Sequence, residues 1–238
     1  MKKLKDTFQK LGVEVETYQD LSSFDLKATV NELAQRDFKE YGSLVVCLLS
    51  HGMENAIACS DGICVNINQL KYEFVLNKCP SLYGKPKIFI VQACQGWLEQ
   101  DETGIVTEEQ LSHSPSHLGR EAIANYEPIT LLVRNKSPNP PIMDLFTMKS
   151  TIPGFVSYRW TQKSKHPGSQ FIQMLCEKME TEYGSKTIET LPQARPLQNI
   201  LWEVQDLISK KYHESFNYRQ TIMSEDYVTK FIKFCQPV

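Results

Sequence analysis

Two apolar runs in this sequence each end beside a residue that can take part in covalent catalysis. The segment Lys87–Gly96 (KIFIVQACQG) carries such a run into Cys94 and a glycine turn, and Leu44–Ser50 (LVVCLLS) leads into His51. Runs of this kind are typical of buried strands, and in an open parallel sheet ligands bind beyond the carboxyl ends of the strands. Two neighbouring strands of this kind would place a cysteine nucleophile and an imidazole side by side.

The rest of the chain alternates between strand-like and helix-like hydrophobic patterns. Strands that alternate with helices predict βαβ crossovers and a mainly parallel sheet with helices on both faces, a three-layer α/β/α fold. The first predicted elements are a helix with Leu4, Phe8 and Leu11 inward, a strand over Val13–Tyr18, and a helix with a capping box at Ser22 and Asp25 and an apolar face of Leu26, Val30 and Leu33. A hairpin that turns at Ser60-Asp61-Gly62 and a helix around Asn68–Leu76 come next. The later elements are a strand over Ile142–Ser150, two helices with inward faces Phe171/Leu175/Met179 and Leu197/Leu201/Val204/Ile208, and a final strand over Tyr227–Cys235.

The charge balance argues against nucleic acid and membrane partners. The 238 residues carry 26 basic and 28 acidic side chains, and the longest apolar runs fall short of the ~18 residues expected of a membrane span. The seven cysteines are odd in number and fall within predicted elements, which favours a reducing, cytoplasmic location. Cys59 and Cys64 do not complete a tetrahedral zinc site. We therefore expect protein partners and no metal or other cofactor.

Hydrophobic periodicity fades between Trp97 and Pro141, where prolines and polar residues have the composition of a linker. This change divides the chain into residues 1–96, 97–141 and 142–238.

The motif Gln92-Ala93-Cys94-Gln95-Gly96, with a histidine ~50 residues upstream, has the form of the caspase signature. Cys79–Lys87 (CPSLYGKPK) and Val156–Arg159 (VSYR) also match caspase segments. On these motifs the chain resembles the caspases over nearly its whole length, and most of all the initiator type represented by caspase-8 and its relatives. In the terms of that family, residues 1–96 resemble the large subunit, 97–141 the inter-subunit linker and 142–238 the small subunit, with an antiparallel strand at the sheet edge.

The resemblance implies a cysteine endopeptidase that cleaves after aspartate in apoptotic or immune signalling. Cys94 would attack the peptide carbonyl, and His51 would protonate the leaving amine and later activate water. The backbone amides of Gly52 and Cys94 would form the oxyanion hole, where a side chain at position 52 would obstruct the substrate.

The resemblance also implies a pocket for the aspartate side chain. Arg159 would grip the carboxylate, because a guanidinium binds carboxylates in fork geometry. Gln92 would contact the same carboxylate, Ser157 would line the pocket and Tyr158 would pack on the adjoining substrate residue. The family further implies a homodimer or heterodimer formed through the last strand, Tyr227–Cys235.

The sequence departs from the caspase pattern in three ways. Caspases have a strand before the first helix that carries a further pocket arginine, and this chain begins almost at the helix, so we expect an amino-terminally truncated domain without that strand or a prodomain. No aspartate lies between Asp101 and Asp144, so processing in the linker is not expected. Gln170 also replaces a tryptophan that helps to bind the substrate.

Two other interpretations remain open at this stage. The chain could be a catalytically weak caspase homologue that regulates an active caspase by dimerising with it, although the presence of both Cys94 and His51 argues against a pure scaffold. It could also be an unrelated α/β domain in which Cys94 only packs in the core.

Overall fold

The computed structural model describes residues 1–75, 78–99, 144–158, 168–187, 189–210 and 220–234. In chain order the helices and strands are α1 (Lys2–Lys10), α2 (Ser23–Ala34), β1 (Leu44–Leu49), β2 (Gly52–Met53), β3 (Ala56–Ala58), β4 (Cys64–Asn66), α3 (Ile67–Tyr72), β5 (Lys87–Gln92), β6 (Gly96–Leu98), β7 (Leu145–Lys149), β8 (Gly154–Phe155), α4 (Gln170–Tyr183), α5 (Leu197–Lys210) and β9 (Met223–Asp226). Short 3₁₀ turns lie at Pro80–Leu82 and Leu191–Gln193.

The central sheet has the strand order β1-β5-β7-β9. β5 pairs in parallel with β1 on one side and β7 on the other, and β9 runs antiparallel to β7 at the edge. This arrangement confirms the predicted mainly parallel sheet with an antiparallel edge strand. All six residues of β5 are buried, as expected for a strand with neighbours on both sides and helices on both faces.

Side chains of the sheet alternate between two hydrophobic cores, because successive residues of a strand point to opposite faces. Ile88, Ile90, Phe146 and Met148 belong to a first core completed by α1, α4 and α5. Phe89, Val91 and Leu145 belong to a second core completed by α2 and α3. The sheet therefore lies between two layers of helices, which confirms the predicted three-layer α/β/α fold.

Several local predictions are confirmed in detail. The Ser22 hydroxyl accepts a hydrogen bond from the Asp25 amide at 3.1 Å and so caps α2. β3 and β4 form the predicted hairpin around Asp61. The inward faces predicted for α4 and α5 are buried at each of their seven positions: Phe171, Leu175, Met179, Leu197, Leu201, Val204 and Ile208.

Two strand predictions are wrong. Within the described chain, residues 13–18 join no sheet, although Val13 and Val15 pack against the first core and alternate with exposed glutamates. The final strand is Met223–Asp226 rather than Tyr227–Cys235. The alternating apolar residues after β9 instead pack on helices, and the amide of Leu197 donates to the carbonyl of Ile232 at 2.7 Å. In both places the alternation of apolar and polar residues indicates a segment that is buried on one side only. A segment can be buried in this way without pairing to another strand.

Other boundaries differ by a few residues. α3 ends at Tyr72 rather than near Leu76, and β7 begins at Leu145 rather than Ile142. Leu76, Ile142, Cys235 and most of the 97–141 segment lie outside the described residues, so the division of the chain at 96 and 141 stays a prediction. None of the described helices combines the length and apolarity needed to cross a membrane.

Candidate active site

The ends of β1 and β5 place Cys94 and His51 at the same edge of the sheet. Leu49 is the register partner of Gln92, and the Ser50 amide donates to the Gln92 carbonyl at 3.1 Å. His51 and Cys94 therefore each lie two residues beyond a pair of aligned positions. The prediction that the two strands are neighbours and release these residues at equivalent places is confirmed.

Gly52 brings the histidine segment directly against the cysteine backbone. A Cβ atom built on Gly52 would lie 2.4 Å from the Ala56 carbonyl oxygen, 3.0 Å from the Ala93 Cβ and 3.1 Å from the Cys94 carbonyl oxygen. Real Cβ contacts do not come as close as 2.4 Å, so the tight turn from His51 into β2 requires a glycine. His51 itself is exposed.

The Cys94 sulfur contacts the backbone of Ser157. The Ser157 amide donates to Sγ at 3.4 Å, and the thiol lies 3.7 Å from the Ser157 carbonyl oxygen. Cys94 is partly buried. Two of the residues singled out in the sequence, 63 positions apart, are thus in direct contact.

A second pairing holds the Ser157 segment in place. β6 and β8 run in parallel, with the Gln95 amide donating to the Phe155 carbonyl and the Gly154 amide donating to the Gln95 carbonyl, both at 2.8 Å. A Cβ on Gly96 would lie 2.2 Å from the Gly154 backbone. The glycine that follows Cys94 in the motif is therefore needed for the close approach of these two strands.

The side chain of Gln95 ties the cysteine backbone to the loop after β2. Its Nε2 group donates to the Cys94 carbonyl at 3.2 Å, and its Oε1 atom accepts from the Asn55 amide at 3.0 Å. Gln95 is 1% exposed. Its buried side chain therefore links the backbone at Cys94 to the loop that follows His51 and β2.

Gln92 lies at the centre of a polar cluster beside the cysteine. It is buried, and its Nε2 group donates to the Ser157 hydroxyl at 2.7 Å. The Ser157 hydroxyl donates in turn to the Ser150 hydroxyl at 2.7 Å, and the Ser169 hydroxyl donates to Gln92 Oε1. The structure thus brings Gln92 and Ser157 together, as the pocket prediction requires.

Ser150 and Ser169 were not identified from the sequence. Ser169 also caps α4, since its hydroxyl accepts from the Ile172 amide at 3.3 Å. The signal available in the sequence was Gly168-Ser169 immediately before an amphipathic helix, which marks a helix start. That signal predicts a cap and says nothing about a bond to Gln92.

Tyr158 is half-buried, and its amide donates to Gln220 Oε1 at 3.3 Å. Arg159, the predicted anchor for aspartate, lies outside the described residues. Its neighbour in the sequence, Tyr158, is the last described residue of the segment that contacts Cys94.

Four of the other cysteines have environments that suppress thiolate formation. Burial raises the pKa of Cys47 to about 12, with a further contribution from Cys176, and raises the pKa of Cys59 to about 11. Burial also raises the pKa of Cys64 and Cys176. Because the thiolate is the reactive form, these four thiols are poor nucleophiles.

Among the described residues, no three histidine, cysteine or acidic side chains gather as a metal site.

A family model described as the caspase domain matches residues 1–231. The chain belongs to the caspase family. The interpretation as an unrelated α/β domain is therefore wrong, and the resemblance noted in the sequence is confirmed.

Individual relatives agree with this assignment. Caspase-3 from Xenopus laevis is 34% identical over 183 residues, covering 77% of this chain and 56% of that protein. Caspase-8 from Rattus norvegicus is 29% identical over 214 residues, covering 87% of this chain and 38% of that protein. The crystal structure of caspase-1 from Spodoptera frugiperda has the same fold, with a TM-score of 0.70 and 23% identity over 99% of this chain and 78% of that one. The chain spans about half the length, or less, of the curated caspases it matches.

Gly52 offers a direct test of the close approach in this caspase domain. Gly52→Ala is expected to lower the free energy of unfolding by about 2 kcal/mol, because the new methyl group overlaps the Ala56 carbonyl and the turn must shift. Gly42→Ala is the matched control, since a Cβ there has no atom within 4 Å. Urea denaturation measures both, and equal stabilities of the two variants would contradict the packing described here.

Proposed function

We propose that this chain is a cysteine endopeptidase that cleaves proteins after aspartate. The observation that carries the proposal is the contact between the Cys94 sulfur and the Ser157 amide, at the edge of the sheet where the His51 segment also ends. The contact supports the proposal because Ser157 precedes by two positions Arg159, the arginine that the sequence predicts for the pocket.

In the proposed reaction the Cys94 thiolate attacks the carbonyl carbon of the scissile peptide bond. The backbone amides of Gly52 and Cys94 stabilise the negative oxygen of the tetrahedral intermediate. The carbon–nitrogen bond then breaks as His51 gives a proton to the leaving amine, and a thioester remains on Cys94. His51 next removes a proton from water, and the resulting hydroxide hydrolyses the thioester and restores the thiolate.

Specificity for aspartate is assigned to the polar cluster beside the nucleophile. An amide nitrogen carries two hydrogens, of which the Gln92 group uses one toward Ser157; the other is proposed to meet the substrate carboxylate. The guanidinium of Arg159 supplies the charge that the buried carboxylate requires. Ser157 and Ser169 hold the Gln92 amide on both sides and so fix its orientation.

The setting of the reaction is also part of the proposal. We expect a cytoplasmic protein of cell-death or immune signalling that acts on protein substrates without a cofactor. It would dimerise with itself or another caspase through the sheet edge, which is formed by β9 rather than by Tyr227–Cys235 as predicted. An unpaired edge strand offers free backbone groups for this contact.

The test compares fluorogenic peptides that differ only in the residue before the fluorophore. In a kosmotropic salt that favours association, the peptide ending in aspartate is expected to be turned over at least about 100-fold faster than those ending in asparagine or glutamate, because a site built for one polar group rejects analogues that leave its groups unpaired. Equal rates with aspartate and asparagine would contradict the specificity, and silence toward all three would contradict the protease.

The second candidate is a weakly active caspase homologue that regulates an active one. It is favoured by the same Cys94–Ser157 contact, since the sulfur in this arrangement is engaged by the backbone of its own chain. Silence in the peptide test, together with measurable association with an active caspase, is the result expected for this candidate.

A further inference from the structure

Gln220 is a buried glutamine whose amide bridges two backbone groups of one loop. It is 4% exposed and lies three residues before β9. Its Nε2 group donates to the Ser150 carbonyl at 2.6 Å, and its Oε1 atom accepts from the Tyr158 amide at 3.3 Å. Both ends of the side chain are therefore used, and both partners are main-chain groups.

These two partners are the ends of the segment that contacts the nucleophile. Ser150 continues the central sheet beyond β7, with its amide donating to the Val91 carbonyl at 2.9 Å. Ser157, the residue before Tyr158, contacts the Cys94 sulfur and also donates to the Ser150 hydroxyl. Gln220 thus connects the two ends of the segment 150–158, which contacts the Cys94 sulfur through Ser157.

The physical consequence is that Gln220 sets where the end of this segment lies relative to the sheet. Ser150 is buried and bonded to β5, so it serves as the fixed end. Tyr158 is the other end, and a side chain of set length connects the two. Removing the amide leaves a buried carbonyl and the Tyr158 N–H without this partner, which is costly where water has little access.

We infer that Gln220 is a positioning residue for substrate binding, acting through Tyr158 and, next to it, Ser157, which bonds to Gln92. The inference rests on the proposed function, since it assigns Gln220 to the same pocket. Cys94 and His51 follow β5 and β1, and Gln220 bonds to neither of them. Its loss should therefore weaken binding of the substrate more than it slows the chemical step.

Gln198 provides a matched control within the same protein. It is also a buried glutamine, 7% exposed, and it bridges two backbone groups by donating to the Lys230 carbonyl at 3.5 Å and accepting from the Ile232 amide at 3.3 Å. It lies on α5 in the first core region, away from the Cys94 cluster. A change to methionine at either position removes the same two kinds of hydrogen bond and keeps an unbranched side chain.

The first measurement is steady-state turnover of the aspartyl peptide by the full chain. Gln220→Met is expected to raise KM about tenfold, with kcat within about twofold of the original, because two hydrogen bonds that orient the pocket are lost. Gln198→Met is expected to leave both constants within about twofold. A lowered kcat with unchanged KM in Gln220→Met, or the same change in both variants, would overturn the assignment.

The second measurement does not depend on catalysis. Amide hydrogen exchange of Tyr158 is expected to be at least about tenfold faster in Gln220→Met and unchanged in Gln198→Met. Unaltered protection of Tyr158 in Gln220→Met refutes the inference. If the chain turns over no peptide, the proposed function fails while this result still decides whether Gln220 positions the segment.

If Gln220→Met does not fold, Gln220→Glu provides a second variant for the same test. The carboxylate retains an acceptor for the Tyr158 amide but has no hydrogen to donate to the Ser150 carbonyl. The Tyr158 amide should therefore stay protected from exchange, while the hydrogen bond to the Ser150 carbonyl is lost. We expect a smaller rise in KM for Gln220→Glu than for Gln220→Met. Rapid exchange at Tyr158 in this variant would show that Gln220 is not its partner in solution.

Discussion

Cys94→Ala is expected to reduce turnover of the aspartyl peptide on the order of 10⁴- to 10⁶-fold, the range found when a hydrolase loses its nucleophile. Without sulfur no thioester forms, and water would have to attack the peptide bond directly, aided only by His51 and the proposed oxyanion donors at Gly52 and position 94. The variant is expected to fold, because alanine fills part of a half-buried site and adds no clash. Initial rates with the peptide and circular dichroism check activity and folding separately.

Cys59→Ala is the matched control for this change. Cys59 is also a partly buried thiol, at the end of the β3–β4 hairpin, but burial raises its pKa to about 11. Turnover should be the same as in the original chain. His51→Ala should lose a comparable amount of activity, and combining it with Cys94→Ala should add little, since residues that act as a unit are not additive. Retention of more than a tenth of the activity by Cys94→Ala would exclude Cys94 as the nucleophile.

The position of the Cys94–His51 pair was predictable because it depends on strong local signals. Apolar runs of strand length identify β1 and β5, and parallel pairing makes their carboxyl ends meet. Gly52 and Gly96 were noted in the sequence for other reasons, access of the substrate and a turn, and the close approach of two backbones at each of them is seen only in the structure. A residue's position was predictable where it follows from its own strand.

The residues that complete the cluster could not be predicted in this way. The Ser169 bond to Gln92 spans 77 positions, and the Gln220 bond to Ser150 spans 70. Isolated polar residues carry no periodicity, and their partners are decided by how α4 and the segment before β9 dock on the sheet. The wrong strands at 13–18 and 227–235 have a similar origin, because burial against a helix and pairing in a sheet produce the same alternating pattern.

A buried charge cluster at the sheet edge, also invisible in the sequence, gives the largest stability prediction. Glu225 on β9 bonds to Lys71 Nζ of α3 at 2.8 Å and to Lys149 Nζ of β7 at 2.7 Å. The two lysine side chains are each 5% exposed and that of Glu225 is 21% exposed. Glu225→Gln is expected to lower the free energy of unfolding by about 3 kcal/mol at pH 7, because two buried ammonium groups lose their counter-charge.

Glu16→Gln is the control for this variant, since Glu16 forms an exposed ion pair with Arg36. Exposed pairs contribute little to stability, so Glu16→Gln should leave the free energy of unfolding nearly unchanged in the same urea or thermal unfolding measurement. If Glu225→Gln were no more destabilising than Glu16→Gln, the lysines would have to be solvated, and the cluster would not join β9 to the rest of the sheet.

The pH dependence separates a charge effect from a packing effect. Burial acts to raise the pKa of Glu225, but the charges of Lys71 and Lys149 and the hydrogen bonds from both outweigh it and hold that pKa below the usual 4.5. A carboxyl with a lowered pKa stabilises the fold fully above its unfolded value and loses that contribution as the pH falls through its folded value. The difference between the original chain and Glu225→Gln should therefore be complete at pH 7 and shrink below 4.5.

The alkaline side gives an independent check of the same cluster. Burial lowers the pKa of Lys71, opposed by the charge of Glu225 and its hydrogen bond. Without that carboxylate the Lys71 pKa must fall further, so Glu225→Gln should regain stability relative to the original chain as the pH rises toward the usual lysine value of 10.5. A stability difference that stays constant from pH 4 to 10 would assign the loss to packing around Glu225 rather than to its charge.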